Sequence, residues 1–286
     1  MAQEKSPRPS RSATQTEQPK PASSWLKQVR TDAEVRPPAL IIYGPPGIGK
    51  SSLAGNIPKA VAMPFKSENT WGRLKEAGTI PPDLPVLPPM ENWVDVLAVI
   101  DELISGDHDY KVLLIDTAFN QLERLCHIHV CQREFGGNWG ERGFAGYQRG
   151  YDTSLADWRE CLRKLDDLRD ERGMTVVMLG HSKVAPHRDP RLQAFDRLVA
   201  DCHHKTWGLS HGWADAVIHF NHEIDVDDSE SRPKGRGGNR VLYTEWHPGF
   251  DAKNRFGLES IIDAGTSGAE AWKNLSDAFV EAKKNA

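Results

Sequence analysis

The sequence predicts an α/β fold: a mostly parallel central sheet flanked by helices, with an antiparallel hairpin at one edge. Three observations lead there. Apolar runs at 40–42, 112–115 and 174–179 have no alternating polar face, so they read as strands buried on both sides. Helical spacing fills the intervals, most plainly in Leu155, Trp158, Leu162, Leu165 and Leu168. The first run breaks directly into glycines, a lysine and two hydroxyls.

That break, Gly44-Pro45-Pro46-Gly47-Ile48-Gly49-Lys50-Ser51-Ser52, satisfies the phosphate-loop pattern, with the required strand before it. Gly44, Gly47 and Gly49 let the backbone turn its N–H groups inward, and a following helix over about 50–57 presents its positive end. Lys50 is expected to reach the β- and γ-phosphates, and the Ser51 hydroxyl to ligate Mg²⁺. The run at 112–115 ends in Asp116, the Walker B pattern, whose carboxylate holds a Mg²⁺ water from the end of a strand. ATP and Mg²⁺ are the expected cofactors.

Taken in order, residues 1–36 are rich in Ser, Pro, Gln and basic residues and read as a disordered tail. The core is expected over 37–263, and a C-terminal helix within 264–286. A second strand spans 60–65, with Glu68 just beyond it. Trp93, Leu97, Ile100 and Ile104 mark an amphipathic helix, and another is expected over about 118–133. The stretch 133–151 combines six glycines, five aromatics and three arginines, so it reads as a mobile loop suited to phosphate neutralisation and base stacking. A buried strand over 174–180 delivers His181. A polar span over 183–205, a helix near 206–213, and strands at 214–220 and 241–244 around a basic turn complete the core, the last two forming a long hairpin.

The net charge of −4 assigns no nucleic-acid role to the chain as a whole, so such a role rests on local patches. No stretch reaches the length of apolar sequence that spans a bilayer, and the N-terminus carries no apolar signal core, so a cytoplasmic location with no membrane partner is expected. Cys126-His127-Ile128-His129-Val130-Cys131 and Cys202-His203-His204 raise a zinc site, but Cys126 and Cys131 point apart on a helix and no CxxC spacing occurs.

Gly44 to Ser51, Ser67-Glu68-Asn69-Thr70, Leu113-Leu114-Ile115-Asp116-Thr117, 171–182 ending in His181-Ser182, Trp213-Ala214-Asp215-Ala216-Val217 and 242–258 carry a resemblance covering about 38–258. In this ordered combination the chain resembles the RecA-like ATP-binding proteins of bacteriophages, grouped among AAA-type P-loop proteins and including recombinases that work with single-strand annealing. The resemblance implies a RecA-like P-loop NTPase core that hydrolyses ATP with Mg²⁺ and acts on single-stranded DNA in phage recombination or replication. It also implies a homo-oligomer, ring or filament, and a single-strand-binding or annealing protein as a further partner. AAA+ proteins place a catalytic Glu directly after the Walker B Asp; here that position is Thr117, so the resemblance puts the catalytic carboxylate at Glu68. His181 takes the place of a γ-phosphate sensor, and Lys253 and Arg255 are candidate fingers for a neighbour's phosphate. Arg133, Trp139, Arg142, Tyr147 and Arg149 form the candidate DNA loop, with 183–205 as the second. Two other readings remain: an ATP-binding switch or helicase loader without DNA-stimulated turnover, and a small-molecule P-loop kinase whose lid would carry His187, Arg188 and Arg191.

Overall fold

β1 (Ala39–Gly44) lies at the centre of the sheet because both of its faces are covered. Ile41 and Tyr43 enter one apolar core, while Leu40 and Ile42 enter the other. Each fully buried aliphatic side chain of this kind contributes roughly 1.5–3 kcal/mol. The computed structural model describes residues 29, 35–66, 69–188, 193–227 and 234–285. Glu68, Arg191 and nearly all of the expected tail lie outside them.

β2 (Ala60–Pro64), β3 (Val112–Asp116), β4 (Thr175–His187) and β6 (Ala216–Asp227) run parallel to β1. The order across the sheet is β2-β3-β4-β1-β6, continued antiparallel by β7 (Lys234–Tyr243) and β9 (Ile261–Asp263). The expected α/β class, with its mostly parallel sheet and edge hairpin, is therefore present. β4 sits between the phosphate-loop strand and the Asp116 strand, so the C-terminal ends of β1 and β3 meet the end of β4's parallel run, at His181, in one crevice.

One face carries α3 (Trp93–Ser105), α4 (Glu123–Phe135), α5 (Arg149–Arg172) and α6 (His204–Trp213). Asn92 caps α3 by accepting from the Asp95 N–H at 2.9 Å. The other face carries α1 (Lys50–Gly55), α2 (Thr70–Glu76) and α7 (Gly268–Lys284). Ala271 and Leu275 of α7 share a core with Leu53 and Ala54 of α1.

Three expected elements differ. The strands expected at 214–220 and 241–244 are longer, so residues 234–240 of the expected basic turn belong to β7. The span 183–205 is not irregular: β4 continues to His187 and pairs antiparallel with β5 (Phe195–Ala200), Ser182 opposite Ala200. This hairpin extends beyond the parallel sheet, with Lys183 and Val184 exposed, so it lacks the buried apolar run that marks the central strands. The helix expected over 118–133 is two pieces. A wide turn at 118–122 places Phe119 and Asn120 outside helical geometry, and α4 begins only at Glu123. No helix among the described residues is long and apolar enough to cross a membrane.

Candidate nucleotide site

The loop 44–49 turns through two left-handed glycines, Gly47 at φ 81° and Gly49 at φ 112°, conformations that a side chain would strain. It delivers Lys50 into the crevice, where that side chain is almost fully buried. The Lys50 ammonium donates to the carbonyls of Gly44 and Pro45, both at 2.9 Å, and lies 3.4 Å from His181 Nδ1. Ser51 Oγ donates to Asp116 Oδ2 at 2.7 Å. Residues from β1, α1, β3 and β4, up to 131 positions apart, thus converge on one point.

The electrostatics fit a polyanion with a divalent cation. Burial pushes the Asp116 carboxyl up from its ordinary value, against the Ser51 hydrogen bond and Lys50, which pull it down. Because an acid raised on folding costs stability once ionised, this cost sets in as the pH rises through the unfolded value and persists at neutral pH. A cation at the Ser51 and Asp116 oxygens would relieve it, and those two oxygens are the donors such a hard ion takes. Burial and the neighbouring Lys50 hold His181 below its ordinary value, so it is neutral at pH 7 and can accept or donate a hydrogen bond at the edge of the crevice.

A cleft of about 600 Å³ is lined by Gly47, Gly49, Lys50, Ser51, Ser52, Asp116 and His181, together with Asn69, Thr70, Arg73 and Thr117. That volume suits a nucleotide-sized ligand. Pro45, Pro46 and Ile48 shape the loop without lining the cleft. Glu68 is outside the described residues, although its neighbours Asn69 and Thr70 face the cleft. Arg73 was not apparent in the sequence, since an arginine on a short polar helix carries no pattern.

The remaining candidates fall elsewhere. Lys253 in β8 (Lys253–Asn254) donates to the carbonyls of His211 and Gly212 at 2.6 and 3.2 Å, closing the end of α6, and Arg255 pairs with Asp215 at 3.3 Å. Both lie near the start of β6, away from the chain's own phosphate loop. Within 133–151, Arg133 grips Asp157 through two bonds of 2.7 and 2.9 Å, and Phe144 is buried against Phe135 and Tyr151. Trp139 is 45% exposed and Tyr147 95% exposed, with Arg142 and Arg149 also at the surface. Cys126 packs into the main core and Cys131 beside Val130 and Phe144, so they face different clusters.

A second cleft, of about 1000 Å³, opens between α4, α6 and the β4–β5 hairpin, and Trp139, Tyr151, Arg124, Lys183, His203 and His204 line it. Tyr151 and His203 stack with ring centres 4.4 Å apart. The two stretches expected to be DNA loops, 133–151 and 183–205, both border this cleft.

No curated protein matches the sequence. A solved structure, that of the RadB recombinase, is similar over 82% of this chain and 89% of its own, at 14% identity and a TM-score of 0.43. The AAA-domain family matches residues 36–256, which include the phosphate loop, Asp116 and His181. The chain belongs to the AAA-domain family of P-loop proteins.

Proposed function

We propose that the protein is a Mg²⁺-dependent ATPase whose turnover responds to single-stranded DNA, working in recombination or replication. The observation that carries the catalytic part is the convergence of Lys50, Ser51, Asp116 and His181 on one cleft. Lys50 would exchange its two loop carbonyls for phosphate oxygens, while backbone N–H groups of the loop cradle the same groups. Ser51 and Asp116 would hold Mg²⁺, which when bound offsets charge on the β- and γ-phosphates. Neutral His181 would contact the terminal phosphate, and Glu68 would orient the attacking water.

DNA dependence is supported by the path of β4. The strand that ends its parallel run at His181 continues into the hairpin bordering the second cleft. Asp201 of that border donates its backbone N–H to the His181 carbonyl at 2.8 Å, pairs with Lys183 at 3.1 Å and accepts from Asn120 at 3.4 Å. A change at the phosphate end therefore has a direct covalent and hydrogen-bonded route to the DNA side.

Fluorescence anisotropy with a single-stranded oligonucleotide tests this assignment. Replacing Arg142 and Arg149 together should weaken binding and reduce the salt slope by about one unit for each phosphate that is no longer neutralised. Trp139→Ala or Tyr147→Ala should cost about 1–3 kcal/mol per stacked base and leave the slope unchanged. If neither set changes DNA binding, the stretch 133–151 is not the DNA site.

A further inference from the structure

Arg240 of β7 stands outside the nucleotide cleft, yet it touches the phosphate loop from behind. Its Nη1 donates to the Ile48 carbonyl at 3.2 Å, across 192 positions of sequence. Nε and Nη2 donate to the Gly265 carbonyl at 3.0 and 2.8 Å, and Nη2 also reaches the Ser267 carbonyl at 3.2 Å. The Phe220 ring lies 5.8 Å from the guanidinium carbon, within cation–π range.

These contacts have a geometric consequence. In a planar trans peptide the C=O and N–H point in opposite directions. Holding the Ile48 carbonyl against Arg240 therefore turns the Gly49 N–H away from it, toward the cleft that Gly49 lines. Gly49 needs such a restraint, because a glycine at φ 112° has no Cβ to limit rotation of its peptide planes. A Cβ at position 49 would lie 2.7 Å from Arg240 Nη1, so the guanidinium occupies the space the missing side chain leaves.

The other end of the bridge is rigid. Ser267 caps α7 by accepting from the Glu270 N–H at 3.1 Å, and Glu270 accepts from the Thr266 N–H at 2.8 Å, a reciprocal cap. A Cβ on Gly268 would fall 2.4 Å from the Ser52 carbonyl, so α7 begins directly against the first turn of α1.

We propose that Arg240 is a positioning residue for the phosphate loop: it fixes the Ile48–Gly49 peptide so that the Gly49 N–H faces the phosphates, and it ties that peptide to the start of α7. The inference rests on the nucleotide-site reading and adds to it that the C-terminal segment is part of the site. Arg240 touches no substrate and acts through the loop.

The test compares wild type, Arg240→Ala and Arg240→Gln by titration with a fluorescent ATP analogue, by KM and kcat, and by amide hydrogen exchange. Removing several net-favourable hydrogen bonds predicts a Kd and KM for ATP raised about ten- to hundredfold in Arg240→Ala, with kcat within about threefold. Exchange should rise over 44–52 and 264–270 while the central strands keep their protection. Arg240→Gln keeps an amide donor but is shorter than arginine and cannot bridge both carbonyls, so it should show a smaller rise in KM than Arg240→Ala, at an unchanged melting temperature. If wild type binds ATP and both variants bind within about threefold of it, by the measure of one net hydrogen bond, the positioning role is wrong while the nucleotide site stands. Failure of wild type itself to bind ATP would remove the nucleotide-site reading, and this inference with it.

Discussion

Lys50→Ala is expected to abolish ATP binding at any accessible concentration, a decrease of about a hundredfold or more in affinity given the strength of charge-assisted contacts in a dry site. The lysine is almost fully buried and holds the carbonyls of Gly44 and Pro45 at 2.9 Å, so its removal takes away the cation nearest the phosphates and two contacts that shape the loop. No other lysine or arginine of the chain donates to both of these carbonyls among the described residues. Titration with a fluorescent ATP analogue reads the effect, and the melting temperature separates it from unfolding. Binding that survives in a folded variant would mean that the phosphates lie elsewhere.

The second large effect is expected at Asp116→Asn. The amide keeps the shape beside Ser51 Oγ, 2.7 Å away, but withdraws the negative charge that the site offers a divalent cation. Turnover should fall by about a hundredfold or more, the scale associated with removing one strong electrostatic stabiliser. Stability of the nucleotide-free protein should move the other way. The Asp116 carboxyl is raised by burial, so at neutral pH its charge opposes folding, and the neutral amide removes that cost. The expected combination is a melting temperature at least equal to wild type without nucleotide and no added stabilisation by Mg²⁺ with ATP. A variant that melts lower and retains Mg²⁺-dependent turnover would show Asp116 to be structural.

These two residues were legible in the sequence because each sits at the end of a strand buried on both faces, and such strands announce themselves as unbroken apolar runs. The phosphate loop is local, with spacing that is itself the geometry. The β4–β5 hairpin is not legible in the sequence, since Lys183, Val184, Pro186 and Asp196 are exposed and no period-2 apolar face marks it. Arg133 looked available for DNA because its partner Asp157 lies 24 positions away on the next helix, a pairing set by how α4 and α5 pack. In the sequence, Arg240 stands only at the end of a basic stretch. Its contact with Ile48 requires β6, β7 and α7 all to be in place, and no local pattern encodes that.

The most direct measurement is phosphate release from ATP by the full chain, with Mg²⁺ or with excess chelator, in the presence and absence of single-stranded DNA. Release should require Mg²⁺, disappear in Lys50→Ala and rise when single-stranded DNA is added. Release that is absent under every condition, or that persists unchanged in chelator and in Lys50→Ala, would contradict the ATPase assignment.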